Sequence, residues 1–447
     1  MEVRISGIAT GGIGYAELEG SRIYVRGGLP GDRLKIGKRR NHRGRDWAEI
    51  VSVIDRELET RKPVCGHFGF CGGCDWMDLP YETQVRLKTM MIQDAFESEG
   101  LTVALEDLKA SPEEYRYRNR MDFAFGNGED GPIVGLHVKG DPRDRTHALP
   151  EVCGISDCWL ATKRANEVRE LMQEELAQSR LRSYNPVSRA GVLRSLGIRT
   201  TGKDSCVQLL VANDKHVPGD ALGERLKAGP PTVTSFDIKV SRSRSKHAEP
   251  KKVTHVFGQE QSTTPILGYD MQFSESAFSQ VNAFQVETLY KTALDVAGDL
   301  SGQEILDLYC GVGTMSIPMS AAAKQVTGIE LDEKAVEDAA GNALRNSREN
   351  CRFVPANAAD VSAWGDPVQR FGVVTVNPPR AGLDAGVVEG IATSRADRVV
   401  YVSCNPETLA RDCRRLAANH YKVTRVIPVD MFPQTVHVET VVGLERK

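Results

Sequence analysis

A cysteine and a glutamate near the end of the chain have the chemical character needed for covalent catalysis. Cys404 follows a strand-like run in the motif Ser-Cys-Asn-Pro, and Glu439 follows a proline-bounded turn in the motif His-Val-Glu. A thiolate can add to an electron-poor carbon, and a carboxylate on a neighbouring loop can then remove a proton so that the thiolate leaves again. By default such a cysteine is a core residue and such a glutamate is solvated, so the pair gains meaning from the motifs around it.

A glycine-rich turn upstream of this pair indicates a cofactor-binding loop. The strand-like run Glu304–Leu308 leads into YCGVGT at 309–314, and the next strand-like run ends at Glu330. Glycines let the backbone approach a ligand closely, and a carboxylate about 20 residues further on can accept both ribose hydroxyls of an adenosine. The dinucleotide pattern G-x-G-x-x-G is incomplete here, which favours S-adenosylmethionine because it has no phosphates. An ordinary strand–turn–helix with a solvated Glu330 is the alternative.

The motif NPPRAG at 377–382 lies between the glycine turn and Cys404. A polar residue followed by Pro-Pro beside a methyl donor is typical of amino-methylating enzymes, in which an aromatic residue then stacks on the target base. Here Arg380 takes that place, and a guanidinium suits a carbonyl or a phosphate better than an adenine amine. With Cys404 and Glu439, this favours methylation of carbon 5 of uracil, because thiolate addition to carbon 6 gives an enolate that can attack a methylsulfonium.

Two other functions are compatible with parts of this pattern. An amino-methyltransferase acting on adenine, guanine or a protein amide would explain Asn377 and the two prolines but has no use for Cys404. An RNA-binding or assembly protein that keeps the fold without turnover is disfavoured, because a nucleophile, a base and a cofactor carboxylate are all present.

The motifs lie on alternating strand-like and helix-like runs that extend from residue 271 to 447. This alternation predicts an α/β fold with a Rossmann-like, mainly parallel sheet and helices on both faces. Because the motifs directly follow strands, we expect them to meet at the carboxyl edge of the sheet, where such folds bind ligands.

The first 58 residues predict a small antiparallel barrel of the oligonucleotide-binding type. Short runs of alternating apolar and polar residues are separated by glycine-rich turns. The Arg-rich stretch around Arg39 falls at a predicted loop, where such barrels contact nucleic acid; a structural β cap with a basic turn is the alternative. Residues 59–270 predict a β-rich central domain with helices near 79–99 and 164–178, and with a basic segment, 241–252, in an exposed loop.

Length and composition limit the class of protein. At 447 residues, 40% hydrophobic and 26% charged, the chain is expected to form two or three globular domains. No stretch approaches the ~20 apolar residues of a membrane span. The N-terminal sequence lacks the pattern of a secretory signal, which predicts a cytoplasmic protein whose ten cysteines stay reduced. With a net charge of −3, any nucleic-acid surface must be a local basic patch.

The motifs together resemble those of the RNA uridine-5-methyltransferases. Five segments carry the resemblance in the family's order: FSQVN at 278–282, DLYCGVG at 307–313, NPPRAG at 377–382, SCNPETLARD at 403–412 and HVE at 437–439. The resemblance implies that Cys404 is the nucleophile and Glu439 the base that removes the carbon 5 proton. It also implies a pocket for S-adenosylmethionine, lined by Gln280, Tyr309, Thr314, Glu330, Asn357 and Asn377.

Two of these positions depart from the family pattern. Asn377 stands where many members have Asp, which leaves an amide for hydrogen bonding but no negative charge. Thr314 replaces a common Asn.

Cys65, Cys71 and Cys74 supply three soft metal ligands in a C-x5-C-x2-C pattern. With a fourth cysteine, Cys158 or Cys153, the spacing alone favours zinc. The resemblance instead implies a 4Fe-4S iron–sulfur cluster, because ribosomal members of the family carry a TRAM-type barrel before a cluster-bearing central domain. It favours Cys158 over Cys153, since Cys-Trp-Leu followed by helix-like sequence is similar to the family's fourth-ligand segment. The cluster is expected to be structural or to position RNA.

The barrel and the cysteines together imply a structured RNA substrate, with 23S ribosomal RNA preferred. The T-loop of transfer RNA is the alternative, because some cluster-bearing relatives modify it. No obligate protein partner and no membrane are implied, and the chain is expected to act as a monomer.

Overall fold

The computed structural model describes residues 1–140, 151–202, 204–243, 250–259, 261–274, 277–365 and 370–447. Within these ranges the chain forms a small β unit, a central seven-stranded sheet and a second seven-stranded sheet that carries the motifs. None of the helices in these ranges combines the length and the apolar composition needed to cross a membrane. Part of the basic segment 241–252 lies outside the described residues.

Residues 1–58, all of them described, form eight short strands in two sheets. The strands are β1 (Glu2–Arg4), β2 (Gly7–Ala9), β3 (Ile13–Leu18), β4 (Ser21–Arg26), β5 (Arg33–Ile36), β6 (Arg40–His42), β7 (Arg45–Ala48) and β8 (Ile50–Asp55). One sheet has the order β1-β5-β8 and the other the order β2-β3-β4-β7-β6. Apolar side chains of both sheets, such as Ile5, Ile23 and Leu34, are buried in one core, as the alternating pattern predicts.

This β unit differs from the sequence prediction in two respects. The prediction is an antiparallel barrel, but β4 and β7 run parallel, because the chain passes through β5 in the other sheet before it returns. The stretch around Arg39 is predicted to be a loop, but most of it pairs as the antiparallel β6–β7 hairpin.

The central sheet is mixed and has two helices packed on it. Its elements are β9 (Arg120–Asn127), β10 (Pro132–His137), β11 (Val152–Gly154), α2 (Lys163–Ala177), β12 (Leu193–Thr201), β13 (Asp204–Val211), α3 (Gly219–Ala228), β14 (Ser235–Val240) and β15 (Lys252–Gly258). Among the described residues, the strand order is β11-β10-β9-β12-β13-β14-β15. The predicted helix near 164–178 is α2, and the side chain of Thr162 caps its first turn by accepting from the Ala165 amide at 3.2 Å.

The predicted helix near 79–99 is α1 (Tyr81–Ser98), which packs away from the central sheet. Ile92 and Phe96 are buried in a core that also contains Leu409. Leu409 belongs to the part of the chain that carries the predicted catalytic motifs, residues 271–447, which is called the catalytic part below. Leu87, one turn earlier, is buried against Ile8 of the N-terminal β unit. Helix α1 therefore lies between the first and the last parts of the chain.

The hairpin of β16 (Gln261–Ile266) and β17 (Tyr269–Ser274) spans the predicted domain boundary at residue 270. It packs on a helix of the catalytic part, where the Ser274 amide donates to the Asp338 carboxylate at 2.7 Å. The Gln272 amide likewise donates to the Asn342 side chain at 2.7 Å.

The catalytic part is a doubly wound sheet, which confirms the predicted α/β fold. Its elements are α4 (Val286–Ala297), β18 (Glu304–Leu308), α5 (Ser316–Met319), β19 (Gln325–Glu330), α6 (Glu333–Arg345), β20 (Cys351–Pro355), a 3₁₀ turn (Val361–Trp364), β21 (Val373–Val376), α7 (Ala385–Ser394), β22 (Arg398–Ser403), α8 (Pro406–Ala418), β23 (Tyr421–Val429) and β24 (Glu439–Arg446). In the described residues the strand order is β20-β19-β18-β21-β22-β24-β23, and β24 alone runs antiparallel to its neighbours.

Both faces of this sheet are buried, because alternate residues of each strand point to opposite sides. Leu306 and Val374 pack with α1, α7 and α8 on one face. Ile305 and Val373 pack with α4, α5 and α6 on the other. The long apolar runs of these strands reflect this double burial.

Candidate active site

Five of the predicted site residues lie at one edge of the catalytic sheet. Tyr309, Glu330, Asn377 and Cys404 end or directly follow β18, β19, β21 and β22, which are parallel. Strand β24 is antiparallel to β22, and its second residue, Thr440, pairs with Ser403. The first residue of β24, Glu439, is therefore brought to the same edge as Cys404.

Glu439 is a buried carboxyl, one oxygen of which has no hydrogen-bond partner among the described residues. Only 4% of the residue is exposed, and within the described chain its Oε2 has no partner. Burial raises the pKa of Glu439 to about 8, and the nearby charge of Arg380 opposes this shift. A carboxyl with a pKa near neutrality can gain or lose a proton during a reaction.

Cys404 is half-buried beside the same two residues. Burial raises the pKa of the Cys404 thiol, and the negative charge of Glu439 adds to this effect. The Arg380 guanidinium works in the opposite direction, through its charge and a hydrogen bond to Cys404. Arg380 is thus the neighbouring group that favours the Cys404 thiolate. Sequence analysis assigned Arg380 to a carbonyl or a phosphate; its contact with Cys404 is visible only in the structure.

The Ser-Cys-Asn-Pro motif fixes the Cys404 loop to the Arg380 loop. The Asn405 side chain caps α8 by accepting from the Glu407 amide at 3.2 Å. It also donates to the Arg380 carbonyl at 3.0 Å, and the Thr408 hydroxyl donates to the same carbonyl at 3.2 Å. Asn405 and Thr408 thereby hold the Arg380 loop against the loop that carries Cys404.

The glycine turn and Glu330 are joined by direct hydrogen bonds. The Gly311 amide donates to one oxygen of the Glu330 carboxylate at 3.0 Å, and the Leu331 amide donates to the other at 2.7 Å. Tyr309 opens the turn in the left-handed region, with φ of 61°. For a bulky residue this conformation is strained, and such strain is concentrated at functional sites.

Beneath the turn lies Asp307, the first residue of the DLYCGVG segment, to which sequence analysis gave no role of its own. It accepts from Ser316 Oγ and Thr375 Oγ1, both at 2.5 Å, and burial raises its pKa to about 6. It ties the turn to the neighbouring strand β21. A buried Asp one residue before the end of a strand leaves no periodicity signal that could have marked it.

Gln280 and Thr314 line a cavity of about 190 Å³ between the hairpin, α4 and the central sheet. Gln280 is 6% exposed. The Thr314 hydroxyl is hydrogen-bonded to Tyr290 of α4, whose pKa burial raises to about 12. Asn357 instead lies exposed after β20, where its side chain accepts from the Ala359 amide at 2.9 Å.

The four predicted cysteine ligands share one cavity. Cys65, Cys71, Cys74 and Cys158 line a space of about 150 Å³ beside the central sheet. The pKa of Cys71 is raised to about 11, mainly by burial and in smaller part by the nearby charges of Cys158, Cys153 and Cys65. Cys153 lies near this cavity, with Sγ 3.9 Å from His67 Nδ1.

The cysteine cavity does not have the geometry of a loaded metal site. In the described part of the chain, no group of three or more His, Cys, Asp and Glu side chains is arranged to hold a metal ion. Four thiols around one cavity nevertheless have the donor chemistry that zinc or an iron–sulfur cluster requires.

The strand order with one antiparallel strand, and the glycine turn joined to Glu330, define a Rossmann-like methyltransferase that uses S-adenosylmethionine. Residues 234–447 match the sequence profile of the family described as "tRNA (Uracil-5-)-methyltransferase". An uncharacterized RNA methyltransferase of Caldanaerobacter subterraneus is 33% identical over 97% of this chain and 96% of its own. One from Thermotoga maritima is 32% identical over 100% of this chain and 99% of its own.

The chain therefore belongs to the RNA (uracil-5-)-methyltransferases, as the motifs predict. A solved structure with the same overall fold is that of Pyrococcus abyssi tRNA (uracil-54, C5)-methyltransferase in complex with S-adenosyl-L-homocysteine. It is 25% identical, has a TM-score of 0.74, and the match covers 99% of both chains.

Proposed function

We propose that this enzyme methylates carbon 5 of a uridine in 23S ribosomal RNA, with Cys404 as nucleophile and Glu439 as base. The observation that carries the mechanism is that Cys404, Arg380 and Glu439 lie near enough at the carboxyl edge of the sheet for their charges to influence one another. A nucleophile and a base are both needed, and this edge supplies one of each.

The proposed reaction proceeds in three steps. The Cys404 thiolate, favoured by the Arg380 guanidinium, bonds to carbon 6, and the ring electrons move onto the carbon 4 oxygen. Carbon 5 then attacks the methyl group of S-adenosylmethionine, and S-adenosylhomocysteine leaves. Finally the Glu439 carboxylate takes the proton from carbon 5, and the electrons of that bond expel the thiolate from carbon 6.

The donor pocket in this proposal is lined by six residues: Gln280, Tyr309, Thr314, Glu330, Asn357 and Asn377. Glu330 is placed to accept the ribose hydroxyls, because it lies against the Gly311 amide at the turn. Asn377 follows β21 between this turn and the Cys404 loop and would contribute an amide rather than a charge.

The covalent mechanism is tested by trapping on RNA that carries 5-fluorouridine, from which no carbon 5 proton can be removed. The wild-type enzyme is expected to form a complex that survives denaturing gels, and Cys404→Ala is expected to form none and to transfer no methyl groups. Cys351→Ala, which changes a half-buried cysteine at the start of β20, is the matched control. Full methyl transfer by Cys404→Ala would instead indicate an amino-methyltransferase.

The choice of RNA rests on the cysteine cavity and the N-terminal β unit. We propose that residues 1–58 are a TRAM-type RNA-binding barrel, whose basic β6–β7 hairpin faces the substrate. The second candidate is the T-loop of transfer RNA, favoured by the likeness to the Pyrococcus abyssi enzyme, which acts on uracil 54 of tRNA. Labelled S-adenosylmethionine and total RNA from a strain that lacks the protein, followed by mapping of the methylated uridine, separates the two.

We also propose that Cys65, Cys71, Cys74 and Cys158 hold a 4Fe-4S cluster, with zinc as the alternative. Their place around one cavity supports the assignment. When bound, such a group would cross-link the segment that contains the first three cysteines to the start of α2. The methyl transfer itself requires no electron from it.

A further inference from the structure

The loop between β23 and β24, Asp430–Val438, leads directly into the catalytic base. A buried ion pair holds its start: Lys88 Nζ of α1 donates to Asp430 Oδ1 at 2.7 Å, and both side chains are fully buried. Lys88 Nζ also donates to the Phe432 carbonyl at 2.9 Å. One ammonium group therefore fixes both a side chain and the backbone of the loop.

Both oxygens of the Asp430 carboxylate accept further hydrogen bonds. The Tyr81 hydroxyl of α1 donates to Asp430 Oδ2 at 3.0 Å, and the Phe432 amide donates to Asp430 Oδ1 at 3.0 Å. Tyr81 is itself fixed by the Ser111 amide at 2.8 Å. A buried charge pair with this many partners is geometrically well defined.

Residues outside the catalytic sheet also hold the middle of the loop. Gln84 of α1 and Gln434 exchange hydrogen bonds: Gln84 Nε2 donates to the Gln434 side chain at 3.0 Å, and the Gln434 amide donates to the Gln84 side chain at 2.8 Å. The amides of Asp75 and Trp76 donate to the Gln434 carbonyl at 2.9 and 3.1 Å. The Tyr117 hydroxyl donates to the Pro433 carbonyl at 2.9 Å.

Apart from the bond between Phe432 and Asp430 inside the loop, these contacts come from residues 75–117, which lie far from Glu439 in sequence. Asn282 adds one more bond, from its Nδ2 to the Met431 carbonyl at 3.2 Å. Strand pairing of β24 begins only at Glu439, so the loop before it depends on α1 and its neighbours for its path. Misplacement of a catalytic group by about 1 Å can reduce a rate ~100-fold. We infer that α1 is a positioning element for the catalytic base, and that Lys88 is the positioning residue through which it acts on Glu439.

This inference rests on the proposed role of Glu439 and gives a specific kinetic signature. Glu439 acts only after the methyl group has been transferred, so a displaced base should slow the last step and spare the first two. In Lys88→Met, methylated RNA should remain bonded to Cys404 in a complex that resists denaturant. Its release should slow about 10- to 100-fold, while single-turnover methyl transfer stays near the wild-type rate.

A general loss of folding would give a different result, because adduct formation and release would then fall together. Lys88→Met leaves Asp430 buried without its partner, which destabilises the fold. The double variant Lys88→Met/Asp430→Asn removes both charges. Gln84→Met removes the exchange with Gln434, together with the bonds from Gln84 Nε2 to the Trp76 and Leu79 carbonyls. Both are expected to fold, as checked by thermal melting, and to accumulate the adduct.

The matched control is Arg425→Met. Arg425 of β23 also ties the segment before the central sheet to the catalytic sheet, through two bonds to Glu106 at 2.7 and 3.0 Å. It lies outside the loop, so its loss should leave release at the wild-type rate.

Glu439→Gln separates failure of this inference from failure of the proposed function. If Glu439→Gln accumulates the adduct but the folded Lys88 and Gln84 variants release RNA normally, the positioning role is wrong and the mechanism stands. If wild-type enzyme never bonds to RNA and Glu439→Gln accumulates nothing, the proposed function is itself wrong.

Discussion

Glu439 illustrates how a single residue can be structurally costly and catalytically useful. A buried carboxylate oxygen without a partner costs about 1–3 kcal/mol or more, and the Glu439 Oε2 has no partner among the described residues. A well-packed apolar side chain would stabilise this position better. In the proposed mechanism, the unused oxygen is the one that receives the carbon 5 proton.

The raised pKa of Glu439 predicts a pH dependence of the last step. Only the ionised carboxylate can take the proton, so release of methylated RNA should accelerate as the pH rises through about 8 and level off above it. Because the pKa of the Cys404 thiol is also raised, the complex forms more slowly at low pH, so release is measured separately from formation between pH 6 and 9. Quench-flow measurement of release across this range checks the profile, and a flat profile would contradict the role of Glu439.

The same pKa has a consequence for stability. The folded state holds the Glu439 proton up to about pH 8, whereas the unfolded chain loses it near the ordinary value of 4.5. The stabilising contribution of the protonated form is therefore complete below 4.5 and is lost as the pH rises through 8. Glu439→Gln should thus raise the melting temperature more at pH 9 than at pH 5. An equal effect at both pH values would show that Glu439 does not have this raised pKa.

At the scale of elements, the turn from β22 into α8 carries out two tasks with one side chain. Asn405 caps the helix and also holds the Arg380 carbonyl. The helix cap stabilises the fold, and the bond to the Arg380 loop keeps the guanidinium beside Cys404. These tasks can be separated by substitution.

Asn405→Ala should lower stability by about 1 kcal/mol through loss of the cap and should also slow the formation of the 5-fluorouridine complex. Asn405→Ser keeps a capping oxygen but cannot replace the bond from Asn405 Nδ2 to the Arg380 carbonyl. It should restore the melting temperature and not the rate of complex formation. Equal recovery of both by Asn405→Ser would show that the cap alone matters.

The folds of these elements follow from the sequence to different degrees. The strands of the catalytic sheet and helices α1 and α2 are predicted from apolar patterns, because burial on one or both faces imposes a local period. The parallel pairing of β4 with β7 and the packing of α1 on the catalytic sheet depend on which surfaces meet. No local pattern records those partners.

At the scale of the whole molecule, the cysteine cavity adjoins residues that hold the loop Asp430–Val438, which leads to Glu439. Cys74 lines the cavity, and the next two residues donate their amides to Gln434 of the loop. The central part of the chain is thus connected by backbone hydrogen bonds to the loop that leads to Glu439. A group bound by the cysteines would stiffen this connection.

Metal analysis of protein purified without oxygen tests the cysteine assignment. We expect iron and acid-labile sulfide in equal amounts, with loss of both in Cys158→Ser and retention in the matched variant Cys153→Ser. Zinc without sulfide would favour the alternative metal. Loss of iron and sulfide in Cys153→Ser, with retention in Cys158→Ser, would identify Cys153 as the fourth ligand.

The sequence by itself determined which chemistry is present and where along the chain it occurs. Cys404, the glycine turn and Glu330 each follow a strand, and parallel strands bring their ends to one edge, so local patterns suffice to gather them. Tertiary structure alone decided the burial, the pKa and the hydrogen-bond partners of these groups. The burial that raises the pKa of Glu439, the hydrogen bond from Arg380 to Cys404, and the pairing of Lys88 with Asp430 across 342 residues arise from packing between distant segments. Such contacts leave no periodic trace in the sequence, because each depends on the positions of both partners.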